Sequence, residues 1–472
     1  MPSLLIITEQ FDVGGLETYI RGQVRILSQL GWDVYLACGG EPRPELLPAE
    51  LVGQCSGLRL SAAASAADLL HSTRTLREFM RQHAITHVHA HPFISLFPAF
   101  LAAKLESLPY VATLHGPSSL SAGYGPLNDF LLGSVILAHA DRVIAVSEEV
   151  RSLAAVYVHD DRLVMQPNAV DSHAFRPQPS TAEPARWLVV SRLDPFKIVG
   201  IRQFVSLARQ AGLPGIDVVG EGPAQAVLQQ QLTQDGLTDY VRFLGVRADV
   251  AELMRASGGV AGMGRVLLEG LAAGQRCCLV GYDGVKGMVD DGLFEAAAVA
   301  NFSGRSLPNI SAEELRGQLA RHPAGDAALC RKVGQRHAES AVWENFSKQL
   351  AALHVSAAPL ATTLHAFIQS ETVQSDPAPY LQSDTLFYEI GRVVHGARHF
   401  SPALAASYGF YFQRAQWRTE RDDLASVAVS LAESQRRIAG LSSQLDALRQ
   451  AEQERAESQG WWSRLMKKGA HD

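Results

Sequence analysis

From residue 1 to about 176, short apolar runs alternate with amphipathic stretches. The runs are Leu4–Thr8, Val34–Cys38, Ile85–Ala90, Tyr110–Leu114 and Arg142–Val146. They are rich in β-branched residues and nearly continuous in apolar character, without the in/out alternation of a half-exposed sheet. That pattern predicts parallel strands covered by helices on both faces. Between the first two runs, Leu16, Tyr19, Ile20, Ile26, Leu27 and Leu30 recur at helical spacing, and Gly31 supplies a C-terminal stop. The reading is a doubly wound α/β domain over residues 1–176. RPQPSTAEPA, Arg176 to Ala185, contains three prolines and reads as a linker. The alternation then restarts with Trp187–Ser191, Ile216–Gly220, Val241–Gly245 and Arg276–Gly281, predicting a second doubly wound domain over 187–355. Two such domains in tandem leave a cleft between the carboxyl ends of their strands, where α/β sheets bind ligands.

Beyond about residue 356 the pattern changes. Residues 356–420 give mixed helical signals with no assignable role. From Leu424 a seam runs through Val427, Leu431, Ser434, Ile438, Leu441, Leu445 and Leu448, with seven of eight positions apolar at alternating spacings of three and four. That predicts a coiled coil over 421–458, with self-association through 421–455 its simplest use and a single helix packed on the body the alternative. In the tail, 459–472, Trp461, Trp462, Leu465 and Met466 lie beside Arg464, Lys467 and Lys468. Such a segment seats at a membrane interface or packs as a plain helix end.

The 472 residues suit two or three domains, and 47% hydrophobic residues supply ample core. Lys and Arg total 42 against 48 Asp and Glu, a net charge of −6, which disfavours general nucleic-acid binding. Five cysteines, none in a C-x-x-C pair, argue against a disulfide framework or structural zinc and suit a reducing compartment. The apolar run Leu4–Ile7 is too short for a signal-peptide core, and no membrane span is expected. The expected address is the cytoplasm, with contact at the inner membrane face if the tail seats there.

Four places carry candidate chemistry. Gly14 and Gly15 open the first helix, whose N-terminal amides could face an anion such as a diphosphate; a plain tight turn is the other reading. Arg192 and Lys197 follow the first strand of the second domain directly, where they could neutralise a leaving diphosphate or be ordinary surface charges. Gly262 and Gly264 open a predicted helix over Arg265–Ala273, a second anion-ready start, with Glu269 on its second turn placed to accept from both hydroxyls of a ribose or simply exposed. In HVHAHP, His87, His89 and His91 share one strand face, yet no carboxylate or cysteine partner is evident. We therefore expect no metal there, and His91 borders the cleft instead.

Seven motifs in order make residues 1 to about 350 resemble a family-4 glycosyltransferase of the GT-B fold. They are GG before the first helix, THG at Thr113–Gly116, ADRVIAVSEEV at 140–150, PNAVD at 167–171, SRLxxxK at 191–197, GEGP at 220–223 and GMGRVLLEGLAAG at 262–274. SAVWENFSKQL, Ser340 to Leu350, resembles the family's closing helix. The resemblance implies a retaining, metal-independent enzyme without a cofactor, of the hexosyltransferase kind. It would pass a sugar from a nucleotide-diphosphate sugar to a glycan, lipid-linked or similar acceptor in surface polysaccharide synthesis. Carried over, Gly14 and Gly15 approach the donor phosphates, Arg192 and Lys197 clamp the diphosphate, and Glu269 holds the ribose. Gly222 and Gly264 lie in loops at the nucleotide, Arg265 adds charge toward the phosphates, and His115 contacts the donor sugar near the reacting carbon. Two departures stand out. The glutamate that the family pattern carries eight positions before Glu269 is Ala261 here, and GYDGVKG at 281–287 replaces a glycine-then-acidic loop. Two further readings compete: a catalytically silent GT-B scaffold oligomerising through the coiled coil, and a sugar-nucleotide epimerase.

Overall fold

The computed structural model describes residues 1–383 except 13, 121–123, 125, 179–185 and 323, together with 386 and 390. Most of the linker, the coiled coil of 421–458 and the tail of 459–472 lie outside the described residues.

Two parallel-sheet α/β domains are present, as the periodicity predicted. The first sheet comprises β1 (Ser3–Thr8), β2 (Asp33–Gly39), β3 (Gly53–Leu58), β4 (His87–Ala90), β5 (Tyr110–Leu114), β6 (Arg142–Ala145) and β7 (Leu163–Met165), in the order β3-β2-β1-β4-β5-β6-β7. Every pairing in it is parallel, for example Leu4 with Val34 and with His87. The second comprises β8 (Trp187–Val190), β9 (Ile216–Val219), β10 (Val241–Gly245), β11 (Val260–Gly262), β12 (Cys277–Val280) and β13 (Val285–Met288), in the order β10-β9-β8-β11-β12-β13. Its edge strand β13 runs antiparallel to β12. Strand β3, QCSGL with only Cys55 and Leu58 buried, has too little apolar character to be read from sequence.

The strand orders decide where a ligand can sit. Each sheet reverses its winding once, between β1 and β4 in the first and between β8 and β11 in the second. Helices leaving the strands on either side of such a point diverge and open a crevice at the carboxyl edge. The candidate segments Gly14–Gly15, His91, Arg192–Lys197 and Gly264–Arg265 all follow one of these four strands.

The first helix, Gly15–Gln29, buries Tyr19, Ile20, Val24 and Leu27, and Gly31 beyond its end has φ +87°, a left-handed stop. The helix Glu339–Ala351 leaves the second domain and lays Val342, Trp343, Phe346 and Leu350 into the core of the first. Its Glu339 forms an ion pair with Arg25, which also meets Asp171 at 2.7 Å. Trp32 Nε1 donates to Ser347 Oγ at 2.9 Å and His87 Nε2 lies 3.0 Å from the Leu350 carbonyl. The two domains are thus stitched by chain that returns, with Glu149 N donating to Val299 O at 2.9 Å on the facing side.

Residues 356–382, which sequence periodicity left unassigned, are part of the first domain. The helix Pro359–Ile368 buries Leu360, Ala361, Leu364 and Ile368, Glu371–Gln374 follows, and Tyr380 N donates to Ala64 O at 2.8 Å. A buried ion pair anchors this segment. Lys104 Nζ meets Asp141 Oδ2 at 2.6 Å, while Asp141 Oδ1 accepts from Ser356 N at 2.7 Å and Ser356 Oγ at 2.6 Å.

Candidate functional site

At the carboxyl edge of β8, Arg192 Nε and Lys197 Nζ both reach the Asp194 carboxylate, each at 3.1 Å. Asp194 is buried and holds the two cations together. Arg192 is largely exposed, and its charge acts on Glu17, at the start of the first domain's first helix. Gly222 shapes the same edge. A Cβ there would lie 2.5 Å from the Leu193 carbonyl oxygen, and Leu193 N donates to Glu221 O at 3.0 Å. The loops after β8 and β9 therefore pack backbone on backbone, which fixes where Arg192 emerges.

The helix Arg265–Ala272 begins at Gly264, whose φ of 61° with ψ −132° suits only glycine. Its amide is not free for an anion, because it donates to Phe302 O at 2.8 Å. Arg265, the next residue, projects across the cleft. Its Cδ lies 3.9 Å from where a Cβ on Gly15 would be. Its side chain is only 10% exposed, and Nη2 stands 3.5 Å from Glu269 Oε1. Nε and Nη1 are buried without a hydrogen-bond partner. A cationic fork left so, in a chain where most buried polar groups are paired, is the cleft's largest unmet demand for an acceptor.

Glu269 is buried rather than exposed, and burial raises its carboxyl pKa against the opposing pull of Arg265. Gly14 is extended, a conformation open to any residue, and its glycine character answers to space: a Cβ would meet Glu17 Oε2 at 2.6 Å. Glu17 folds back over the helix start, with Oε1 accepting from Asp12 N at 3.2 Å. The first anion-ready helix start is therefore already covered by a carboxylate, whose pKa burial raises. Substituting Glu17→Gln is expected to tighten binding of an anion such as a diphosphate several-fold by removing like charge from the helix start. Titration calorimetry of both proteins checks this, and unchanged or weaker binding would place the diphosphate elsewhere.

Histidines line the first domain's side. His91 Nδ1 and His115 Nε2 lie 2.9 Å apart, and the Tyr19 ring packs edge-on against both. His115 N donates to Ser119 Oγ at 3.0 Å. His89 bridges Gln23 and Thr113, at 3.0 and 2.7 Å. The three strand histidines share a face, as period two predicted, but each goes to a different partner rather than converging. Burial lowers the pKa of His89 to about 3 and of His115 to about 4, where Arg265 adds to the effect, and holds His91 well below its usual value.

These imidazoles stay neutral in the fold and take up protons when the chain unfolds, so stability must fall as pH drops below about 6.5. For the wholly buried His89 the loss between pH 6.5 and 5 is roughly 1.5 kcal/mol, and His91 acts in the same direction. Urea unfolding at the two pH values checks the sign; a flat profile would mean that these rings are protonated in the native state.

Ala261, at the position of the missing glutamate, is wholly buried in β11 between Val189 and Cys278. Its side chain belongs to the core cluster that also holds Trp187, so a carboxylate at this position would be buried in that core. Sequence reasoning also passed over Gln166 and Asn168, in and just before the quoted PNAVD. Gln166 is 2% exposed with both amide atoms unpartnered, and Asn168 Nδ2 donates to Asn301 Oδ1 across the domains at 2.9 Å. Polar residues flanking a proline at a strand end were the available signal.

A two-domain α/β body whose winding reversals face one another across a cleft is the GT-B architecture. Residues 13–174 match the model of Glycosyltransferase Family 4. No curated protein matched the chain. Among solved structures, Anabaena HepE in complex with UDP and glucose is 18% identical with a TM-score of 0.59, the alignment covering 74% of this chain and 99% of that one. HepE in complex with UDP-glucose aligns at a TM-score of 0.57 and 18% identity, over 74% and 100% of the two chains. Sucrose-phosphate synthase from Thermosynechococcus elongatus aligns at 0.50 and 16% identity, over 78% and 98%. These likenesses establish the fold.

Proposed function

We propose that the protein is a retaining glycosyltransferase that moves a hexose from a nucleotide-diphosphate sugar to a glycan or lipid-linked acceptor in surface polysaccharide synthesis, without a metal. The observation that carries this is Arg265: a nearly buried guanidinium with two unpartnered nitrogens, beside Gly15 and with its charge acting on His115, offers its donors to an anion. Arg192 and Lys197, gathered by Asp194, add two further cations at the neighbouring strand end. As the bond from the anomeric carbon to the diphosphate breaks, negative charge grows on the leaving oxygen. Preorganised cations lower the cost of that charge most when water is excluded. Glu269 accepts from the ribose hydroxyls, and neutral His115 meets the transferred sugar. The acceptor oxygen bonds to the anomeric carbon, and its proton leaves with the diphosphate or to solvent. HepE's complexes with UDP and UDP-glucose support a uridine nucleotide as the first donor to try.

All five cysteines are unpaired, consistent with action in a reducing compartment. Among the described residues no helix is long and apolar enough to cross a membrane. A panel of nucleotide-sugars, scored by melting-temperature shift and then by transfer to candidate acceptors, tests the reading. Binding with acceptor-dependent release of nucleoside diphosphate is expected. Turnover of the donor without any acceptor would favour the epimerase reading, and absence of binding by every donor would leave the scaffold.

A further inference from the structure

The first domain contains a cavity separate from the cluster of cations. Its wall includes Phe93 just beyond β4, Ser119 beyond β5, Leu131 and Leu132, and, from the C-terminal segment, Tyr380 and Leu381. Eight of its eleven lining residues are apolar, Ser119, Asn128 and Tyr380 supply polar atoms, and it touches the site: Ser119 Oγ takes the hydrogen bond of His115 N. Tyr380 is 2% exposed, and its hydroxyl is buried without a hydrogen-bond partner. Its ring sits 6.3 Å from Phe97, and the charge of Glu9, at the end of β1, acts on the hydroxyl. An orphaned buried hydroxyl in an apolar wall is costly unless a ligand answers it. From residues 356–382, Tyr380 and Leu381 supply part of this wall.

We propose that the cavity takes the sugar-proximal methylenes of an alkyl-linked acceptor, with Tyr380 meeting the oxygen that joins sugar to chain. This rests on the glycosyltransferase reading and names its acceptor class as an amphiphile. The cavity is narrow, and each methylene it takes up contributes about 0.8 kcal/mol when buried. The remainder of the chain would leave through the mouth. The C-terminal segment is then a specificity element for the acceptor and has no role in holding the donor.

The test uses the full-length protein with UDP at saturation, titrated with octyl and methyl glucosides below the concentration at which octyl glucoside forms micelles. UDP binding is measured in the same preparations, so failure of the donor reading shows itself separately. Octyl glucoside is expected to bind at least about tenfold more tightly than methyl glucoside. Leu381→Trp, which fills the cavity, should remove that preference, and Leu381→Ala should enlarge it, with UDP binding unchanged in both. Tyr380→Phe should weaken both glucosides alike. Equal affinity of the two glucosides for the parent protein overturns the proposal. So does a preference that survives unchanged in both Leu381 variants, which would mark ordinary surfactant adsorption.

Discussion

Arg265→Ala is expected to lower kcat/KM for the donor by at least about a hundredfold, equivalent to about 3 kcal/mol of lost transition-state stabilisation. The side chain is nearly buried, two of its nitrogens lack partners, and its remaining contact, to Glu269, is a long 3.5 Å. A guanidinium in that state is already desolvated, so an arriving diphosphate meets a cation whose dehydration cost was met during folding. Arg265→Lys separates charge from geometry. A lysine retains the charge but not the fork, and is expected to recover part of the loss. Single-turnover rates with a UDP-sugar, alongside Kd for UDP, make the measurement. Removing Arg265 also leaves Glu269 more costly to ionise, so the alanine variant's rate should recover slightly at higher pH as that carboxyl deprotonates. An Arg265→Ala enzyme within about threefold of the parent would remove this residue from the phosphate site.

The second large effect concerns stability. Asp141→Ala is expected to destabilise the first domain by about 3–5 kcal/mol. Its carboxylate is the meeting point of three chain segments: Lys104 at 2.6 Å, Tyr110 N at 2.7 Å, and Ser356 through both N and Oγ. The ion pair is wholly enclosed, with side chains 0% and 1% exposed. Removing the acid leaves the Lys104 ammonium buried without its counter-charge, and burial already lowers the lysine's pKa. The amides of Tyr110 and Ser356 lose their acceptor as well. Lys104→Met combined with Asp141→Leu should cost less than the single change, because no charge is then stranded. Urea unfolding followed by tryptophan fluorescence checks both, and a single variant as stable as the parent would mean that water reaches the pair. Ser356 begins the C-terminal segment, so Asp141→Ala should also loosen the chain up to Tyr380. Faster amide exchange over 356–382 is the expected signature.

How much of this was legible in the sequence differs by kind of information. Strands buried on both faces announce themselves, and Leu4–Thr8 or Tyr110–Leu114 could be read almost to the residue. Strand β3 could not, since an edge strand with alternate residues in water has little apolar content to show. The glycines were found in the sequence, while the left-handed backbone of Gly264 and the donation of its amide to Phe302 belong to the tertiary structure. Glu269 was placed on its helix correctly, whereas its burial, with the charge of Glu339 from a distant helix acting on it, is a product of the tertiary structure.

The amino-acid order by itself determined two doubly wound domains, the family resemblance, and which residues stand at strand ends, because burial and helix-stop preferences act over a few neighbouring positions. Tertiary structure alone decided which of those residues meet. That Arg265 reaches Gly15, that Arg192 acts on Glu17, that the helix of Trp343 closes the first domain and that Tyr380 returns to its wall are all contacts between distant segments. Their energies depend on distance and desolvation through space, quantities that no local pattern encodes.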